Sequence, residues 1–194
     1  MANPTEATGA TLQELCAPLL NRWGAYRLTR DPITATAIQR FCEVAQDGNP
    51  VYWDEEFARR SRFGRLIAPP QSLFAMTFAA WWTPDHVEER LARDTVLLNE
   101  GSLVDLRSVH GLCEQFGYTV NTVPGQEVEY LEPFGPGDGR IKVRSMTTDV
   151  SEEKNVRVGK GVFVSSTTEY RTEVDNRLVG RSNLVLLRYH AEKE

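Results

Sequence analysis

The chain has 194 residues, enough for one domain with a real core and short for two. Lys and Arg total 22 against 27 Asp and Glu, and the formal net charge of −5 argues against a nucleic-acid binder, which needs a basic face. Hydrophobic residues make up 41%, with 4 Trp, 8 Phe and 6 Tyr, so the chain can bury a core and is not disordered.

The first half reads as helical. Thr11–Trp23 carries Leu12, Leu15, Leu19 and Leu20 near helical spacing, with Pro18 placed to shorten the helix. Thr34 is a candidate N-cap for the next helix, in which Ile38, Phe41, Cys42 and Ala45 fall on one face. Gly48 is expected to close it and Pro50 to prevent its return. Glu55–Arg62 reads as a short surface helix. A third helix is expected from Pro70 or Gln71 to Trp82, apolar on nearly every side and therefore surrounded by other structure. Its ten-residue run from Leu73 to Trp82 is too short to span a membrane. Weaker helical signals recur in Asp85–Arg93 and Val109–Phe116.

From Gly125 the hydrophobic period changes to two. Glu127–Leu131, Gly139–Val150, Val156–Glu173 and Arg177–Tyr189 read as strands, separated by Gly135-Pro136-Gly137-Asp138, Ser151-Glu152-Glu153-Lys154 and Val174-Asp175-Asn176. Connections this short join antiparallel strands. The expected class is α+β, a curved antiparallel sheet wrapped around a central apolar helix. The open edge of such a sheet is usually covered by a second subunit.

Cys16, Cys42 and Cys113 are far apart and lack metal-ligand spacing. Met1–Ala10 shows neither the basic nor the apolar region of a signal peptide, so a reduced, cytoplasmic protein is expected. There is no Rossmann glycine pattern and no P-loop. No metal and no cofactor are expected, and neither a nucleic acid nor a membrane as partner.

The block most informative about chemistry runs from Phe41 to Phe74, FCEVAQDGNPVYWDEEFARRSRFGRLIAPPQSLF. Alone, Asp47-Gly48-Asn49-Pro50 is a helix stop followed by a turn. Its continuation adds Tyr52, then Phe63-Gly64, then Ile67-Ala68-Pro69-Pro70 ahead of the apolar helix. In that order the block resembles the MaoC-like hydratases and dehydratases of the hotdog fold, in the branch of the FAS1-like dehydratase N-terminal domain. The resemblance continues through Gln126–Asp138 and the strands to Tyr189. It implies a hotdog domain over residues 30–190, with an N-terminal extension at 1–29 and a tail at 191–194.

The resemblance also implies a reaction, reversible addition of water across the C2–C3 double bond of an enoyl thioester of CoA or acyl carrier protein. Active members carry Asp-x-Asn-Pro-x-His, whose carboxylate and imidazole hold and activate water. A backbone N–H at the start of the apolar helix polarises the thioester carbonyl. Carried onto this chain, the catalytic positions are Asp47, Asn49 and Tyr52, and the substrate-binding positions are Gly64, Ala68 and Gln71. Two places depart from the family pattern. Tyr52 stands where the histidine is expected, and its phenol, with a pKa of about 10, is a poor base at neutral pH. Pro70 has no N–H to donate, leaving the Gln71 N–H as the replacement.

Other residues receive plainer readings. His86, His110 and His190 lack the required spacing. Trp81-Trp82 fit core packing or an acyl pocket. Tyr118, Tyr130 and Tyr170 read as strand residues. Arg59, Arg60, Arg62 and Arg65 form a solvated face or meet CoA phosphates. Three functions stay open: a subunit that completes the acyl pocket beside a catalytic MaoC-like partner, a self-sufficient homodimeric hydratase using Asp47 and Tyr52, and a non-enzymatic acyl-thioester-binding module.

Overall fold

Most of the ordered backbone pairing comes from the last third of the chain. The computed structural model describes residues 9–77 and 108–190. Its strands are β1 (Arg27–Leu28), β2 (Val120–Tyr130), β3 (Ile141–Val150), β4 (Lys154–Val156), β5 (Gly159–Thr172) and β6 (Leu178–Tyr189). They form one sheet in the order β1-β3-β5-β6-β2, with β4 paired to β5. Every pairing is antiparallel.

The long strands stand near where the alternation places them, with two differences. The expected Val156–Glu173 strand is split into β4 and β5, which pair with each other, and β4 begins within the expected turn at Lys154. β2 begins at Val120, before Pro124, and its register with β6 shifts between Thr122 and Gly125. A proline cannot donate to a ladder, but at a bulge on an edge strand the missing N–H leaves no interior bond broken. The two edges of the sheet differ. Along β3, the Asn21 and Gly24 N–H groups donate to the Thr147 and Ser145 carbonyls, and Arg27 and Leu28 then pair with Val143 and Lys142. The Arg144 guanidinium sits 4.4 Å from the Trp23 ring and 4.6 Å from the Tyr26 ring, tying this segment down. β2, at the other edge, has no strand beyond it among the described residues.

Five helices are described: α1 (Leu12–Cys16), α2 (Ala35–Ala45), α3 (Glu55–Arg60), α4 (Ser72–Thr77) and α5 (Val109–Gln115). α1 opens with a capping box between Thr11 and Glu14, and Pro18 converts its continuation into a 3₁₀ turn. α2 starts at the Thr34 cap as its sequence suggests, but it closes at Gln46 rather than Gly48. Gln46 takes the left-handed conformation (φ 54°) and the Asp47 N–H donates to the Cys42 carbonyl at 2.9 Å. The helix carbonyls are thereby satisfied before Gly48 is reached. α3 is capped by Asp54, whose Oδ1 accepts from the Glu56 and Phe57 N–H groups.

Two apolar clusters pack on the sheet. In one, α2 and α4 join Val51, Tyr52, Ile67, Ala68 and Phe134 to Ile141, Val143, Tyr170 and Val179 of the strands. In the other, α1 and α5 cover Val150, Val162 and Val164. Leu73 of α4 is fully buried, and the Phe74 ring lies 6.4 Å from that of Tyr170. The Arg27 guanidinium donates to the Thr77 carbonyl at 3.2 and 3.3 Å, fixing the other end of α4. The expected course of this helix from 78 to 82, the 85–93 signal, Trp81, Trp82 and His86 lie outside the described residues.

Candidate functional site

α2 delivers Asp47 one residue past its left-handed cap, so the carboxylate leaves the helix into a turn of fixed geometry. Asp47 Oδ1 accepts the Asn49 N–H at 3.1 Å, and the Trp53 indole donates to the Asp47 carbonyl at 2.7 Å. Asn49 caps the following 3₁₀ turn (Pro50–Tyr52), its Oδ1 accepting the Val51 N–H at 3.3 Å. These bonds make Asp47 half-exposed and Asn49 exposed parts of one rigid turn. Trp53 was not apparent as a partner of Asp47 from sequence, since nothing in an indole six positions away announces a bond to a backbone oxygen.

Tyr52 turns inward. It is 9% exposed, shares the apolar cluster with Val51, Ile67 and Ala68, and its hydroxyl has no hydrogen-bond partner among the described residues. Burial, and then the charges of Asp47 and Cys42, push the Tyr52 phenol above its ordinary value. Asp47 is therefore close enough to be felt electrostatically, and its effect holds the Tyr52 phenol still more firmly in its protonated form.

The second group of expected residues lies on the loop from α3 to α4. Gly64 is exposed and takes φ +68°, with open space where a side chain would be. Ala68 is 2% exposed, and its N–H already donates to the Phe134 carbonyl at 2.7 Å. At the start of α4 the Ser72 N–H binds the Pro69 carbonyl and the Leu73 N–H binds that of Pro70. Gln71 is exposed, and its N–H is not engaged by the described backbone. Ala68 and Tyr52 thus meet in one cluster, while Gly64 and Gln71 stay at the surface.

A cavity of about 420 Å³ opens between α2, α4 and the segment after β1. Ile33, Phe41, Met76 and Ile141 give it an apolar side, and Arg30, Asp31 and Arg40 a charged one. Neither the Asp47 turn nor Gly64, Ala68 or Gln71 lines it.

The arginines separate into different roles. Arg60 pairs with Glu56 in solvent, and Arg62 lies 4.7 Å from the Phe63 ring. Arg65 is neither a solvated residue nor a free phosphate ligand, because both of its terminal nitrogens bind Asp138 at 2.9 and 2.7 Å. Sequence offered no sign of this pair, whose members are 73 positions apart. Tyr118 precedes β2 instead of lying in a strand, and its hydroxyl donates to Glu153 at 2.9 Å. Burial pushes the Cys16 and Cys113 thiols up to about 12 and about 11, away from nucleophilic chemistry. Among the described residues, no helix is long and apolar enough to cross a membrane.

An antiparallel sheet with an apolar helix seated on one face, preceded by an Asp-x-Asn-Pro turn, defines a hotdog-fold protein of the MaoC-like hydratase and dehydratase class. The chain belongs to the family of the FAS1-like dehydratase domain region, whose sequence profile matches residues 24–181. It is 30% identical over 173 residues to a probable enoyl-CoA hydratase alpha subunit from Thermomonospora curvata, covering 88% of this chain and 49% of that protein. The chain spans about half the length of the curated relatives it matches. Among solved structures, the ChsH1-ChsH2 complex from Mycobacterium tuberculosis superposes with a TM-score of 0.71 at 21% identity, over 94% of this chain and 93% of the matched one. A MaoC-like dehydratase from Rhodospirillum rubrum gives 0.55 at 19% identity, over 90% and 94%.

Proposed function

We propose that this chain is a subunit of an enoyl-thioester hydratase that completes the acyl pocket, while a MaoC-like partner supplies the Asp/His pair and the oxyanion N–H. The reaction adds the oxygen of water to C3 and a proton to C2 of the enoyl thioester, reversibly. The observation that carries this reading is Tyr52. It occupies the position of the general base with a buried phenol whose pKa is raised, so at neutral pH it keeps its proton.

Three further features support the reading. Pro70 offers no N–H, and the Ala68 N–H is consumed by Phe134. The β2 edge, with no strand beyond it among the described residues, suits a second subunit, and the Thermomonospora curvata relative is named an alpha subunit. The cavity beside α4 has an apolar side suited to an acyl chain. CoA or carrier protein as the thioester carrier, and a cytoplasmic location, complete the reading, which invokes no cofactor. Residues 30–190 form its hotdog unit.

A second reading rests on Gln71. Its N–H near the start of α4, not engaged by the described backbone, donates to the thioester oxygen in a self-sufficient homodimer that uses Asp47 and Tyr52. Steady-state hydration of crotonyl-CoA and longer enoyl-CoAs separates the two. The chain alone is expected to be slow or inactive, and to gain turnover with a partner carrying an intact Asp-x-Asn-Pro-x-His segment. High turnover by the chain alone, abolished by Tyr52→Phe, overturns the partner-subunit reading. Thioester binding without turnover in every pairing leaves a binding module.

A further inference from the structure

The turn between β2 and β3 does more than reverse the chain. Asp138 is 6% exposed, and its carboxylate receives four N–H groups. Arg65 donates to both oxygens at 2.9 and 2.7 Å, Arg177 donates to Oδ1 at 2.9 Å, and the Gly135 N–H donates to Oδ2 at 2.9 Å. The two arginines also grip the backbone of this turn, Arg65 at the Pro136 carbonyl (3.3 Å) and Arg177 at the Pro133 carbonyl (2.8 Å). One carboxylate therefore joins three distant segments: the loop after α3, the turn itself and the start of β6.

The turn then shapes the loop. The Phe134 carbonyl accepts the Ala68 N–H at 2.7 Å. Gly135 is pressed so close that an added Cβ would lie 2.6 Å from the Leu66 carbonyl oxygen and 3.0 Å from the Ile67 Cα. Two residues beyond Ala68, Pro70 begins the turn that leads into α4, where the Pro69 carbonyl accepts both the Ser72 N–H and the Ser72 hydroxyl. The position of α4's first residues is thus referred, through Ala68 and Phe134, to Asp138.

We infer that Asp138, clamped between Arg65 and Arg177, is a positioning residue of the hydration reaction: it holds the 65–71 loop and with it the start of α4, the helix whose Ala75 and Met76 line the cavity proposed for the acyl chain. The inference rests on the hydratase reading above. Asp138 touches no substrate. It acts through the Phe134 carbonyl and the Arg65 side chain, and a displacement of about 1 Å at such a wall is enough to cost on the order of 10²-fold in rate.

The test is Asp138→Asn, which keeps the shape and removes the charge, assayed in the complex with the MaoC-like partner on crotonyl-CoA. Arg177→Gln, at a half-buried side chain, loosens the same turn more gently should the first variant fold poorly. Amide hydrogen exchange is followed in parallel over residues 64–73 and over β5. Expected are a kcat lower by about tenfold or more, KM changed by no more than about threefold, faster exchange at 64–73, and unchanged exchange in β5. An unchanged kcat, or exchange that rises equally in β5, overturns the inference and leaves Asp138 a general stabiliser of the fold. Absence of hydration by the wild-type complex in every pairing overturns the hydratase reading and the inference with it, and it shows before any variant is made.

Discussion

Leu73 rests directly on Gly180: a Cβ added at Gly180 would lie 2.7 Å from Leu73 Cδ2. The absence of a side chain on β6 lets α4 approach the sheet closely enough for Leu73 to be fully buried. Leu73→Ala should therefore cost about 2–5 kcal/mol in unfolding free energy, measured by urea denaturation. Phe74→Ala should cost less than the roughly 3–5 kcal/mol of a fully buried phenylalanine, because its ring is only half-buried against Tyr170. The reverse order of the two losses would mean that α4 is rotated on the sheet.

Gly135→Ala tests the mould between turn and loop. The atom met is a backbone oxygen, which cannot swing aside as a side chain would. Overpacking of about 1–3 kcal/mol is expected, with loss of protection at the Ala68 amide. Gly180→Ala meets the end of the Leu73 side chain, which can shift, and the Glu129 carbonyl oxygen no closer than 3.2 Å, so it should be milder. Denaturation of both variants, side by side, checks the ranking.

Asp47 and Tyr52 are separable by substitution. Asp47→Asn retains an oxygen able to accept the Asn49 N–H, so the turn and the stability should survive. Tyr52→Phe removes a hydroxyl without a described partner, and should change stability by less than about 1 kcal/mol. In the partner-subunit reading, turnover of the complex is indifferent to Tyr52→Phe. Both variants are read by melting temperature and by kcat on crotonyl-CoA.

Acid should weaken the fold through its carboxylates. The Asp175 carboxyl is pulled down to about 2 by the Thr172 hydroxyl and Arg177. Glu173 lies below its ordinary value because the Arg140 side chain and N–H bind it. At Glu169 burial works upward, but hydrogen bonds from Arg144 and Arg181 outweigh it and hold the group low. The unfolded chain therefore takes up these protons first. Their stabilisation is complete above the ordinary carboxylate range of about 4–4.5 and is lost as pH falls towards about 2. His110, lowered by burial and by Arg188, adds a loss of the same sign that begins as pH falls through the ordinary value of 6.5. Urea midpoints measured from pH 7 to pH 3 should fall throughout, and Glu169→Gln should flatten the lower part.

The β2 edge predicts how the subunit associates. Val123 is 54% exposed there, and Tyr130 42%. Val123→Lys should weaken assembly with the partner, read by sedimentation, with little change in far-UV circular dichroism.

Much of the architecture was written in local pattern. Period-two patterning placed β3, β5 and β6, which carry buried residues against the helices, whereas β2 is exposed along nearly its whole length. Thr34 and the turn residues acted through bonds to atoms a few positions away, Pro18 through the N–H it lacks, and the ordered motifs of the Phe41–Phe74 block together carried the family resemblance. The end of α2 was less legible, because Gly48 and Gln46 can each end a helix and the choice depended on which N–H reached the Cys42 carbonyl. The uses of Arg65, Asp138 and the Ala68 N–H were not legible at all. A guanidinium in a surface-like run reads the same whether it meets solvent, a phosphate or an aspartate 73 residues away. Only the closing of the sheet, which brings the β2–β3 turn against the loop before α4, decided among them. Hydrogen bonds between distant segments carry no periodicity, so folding alone determined which polar groups were spent on structure and which were left for chemistry.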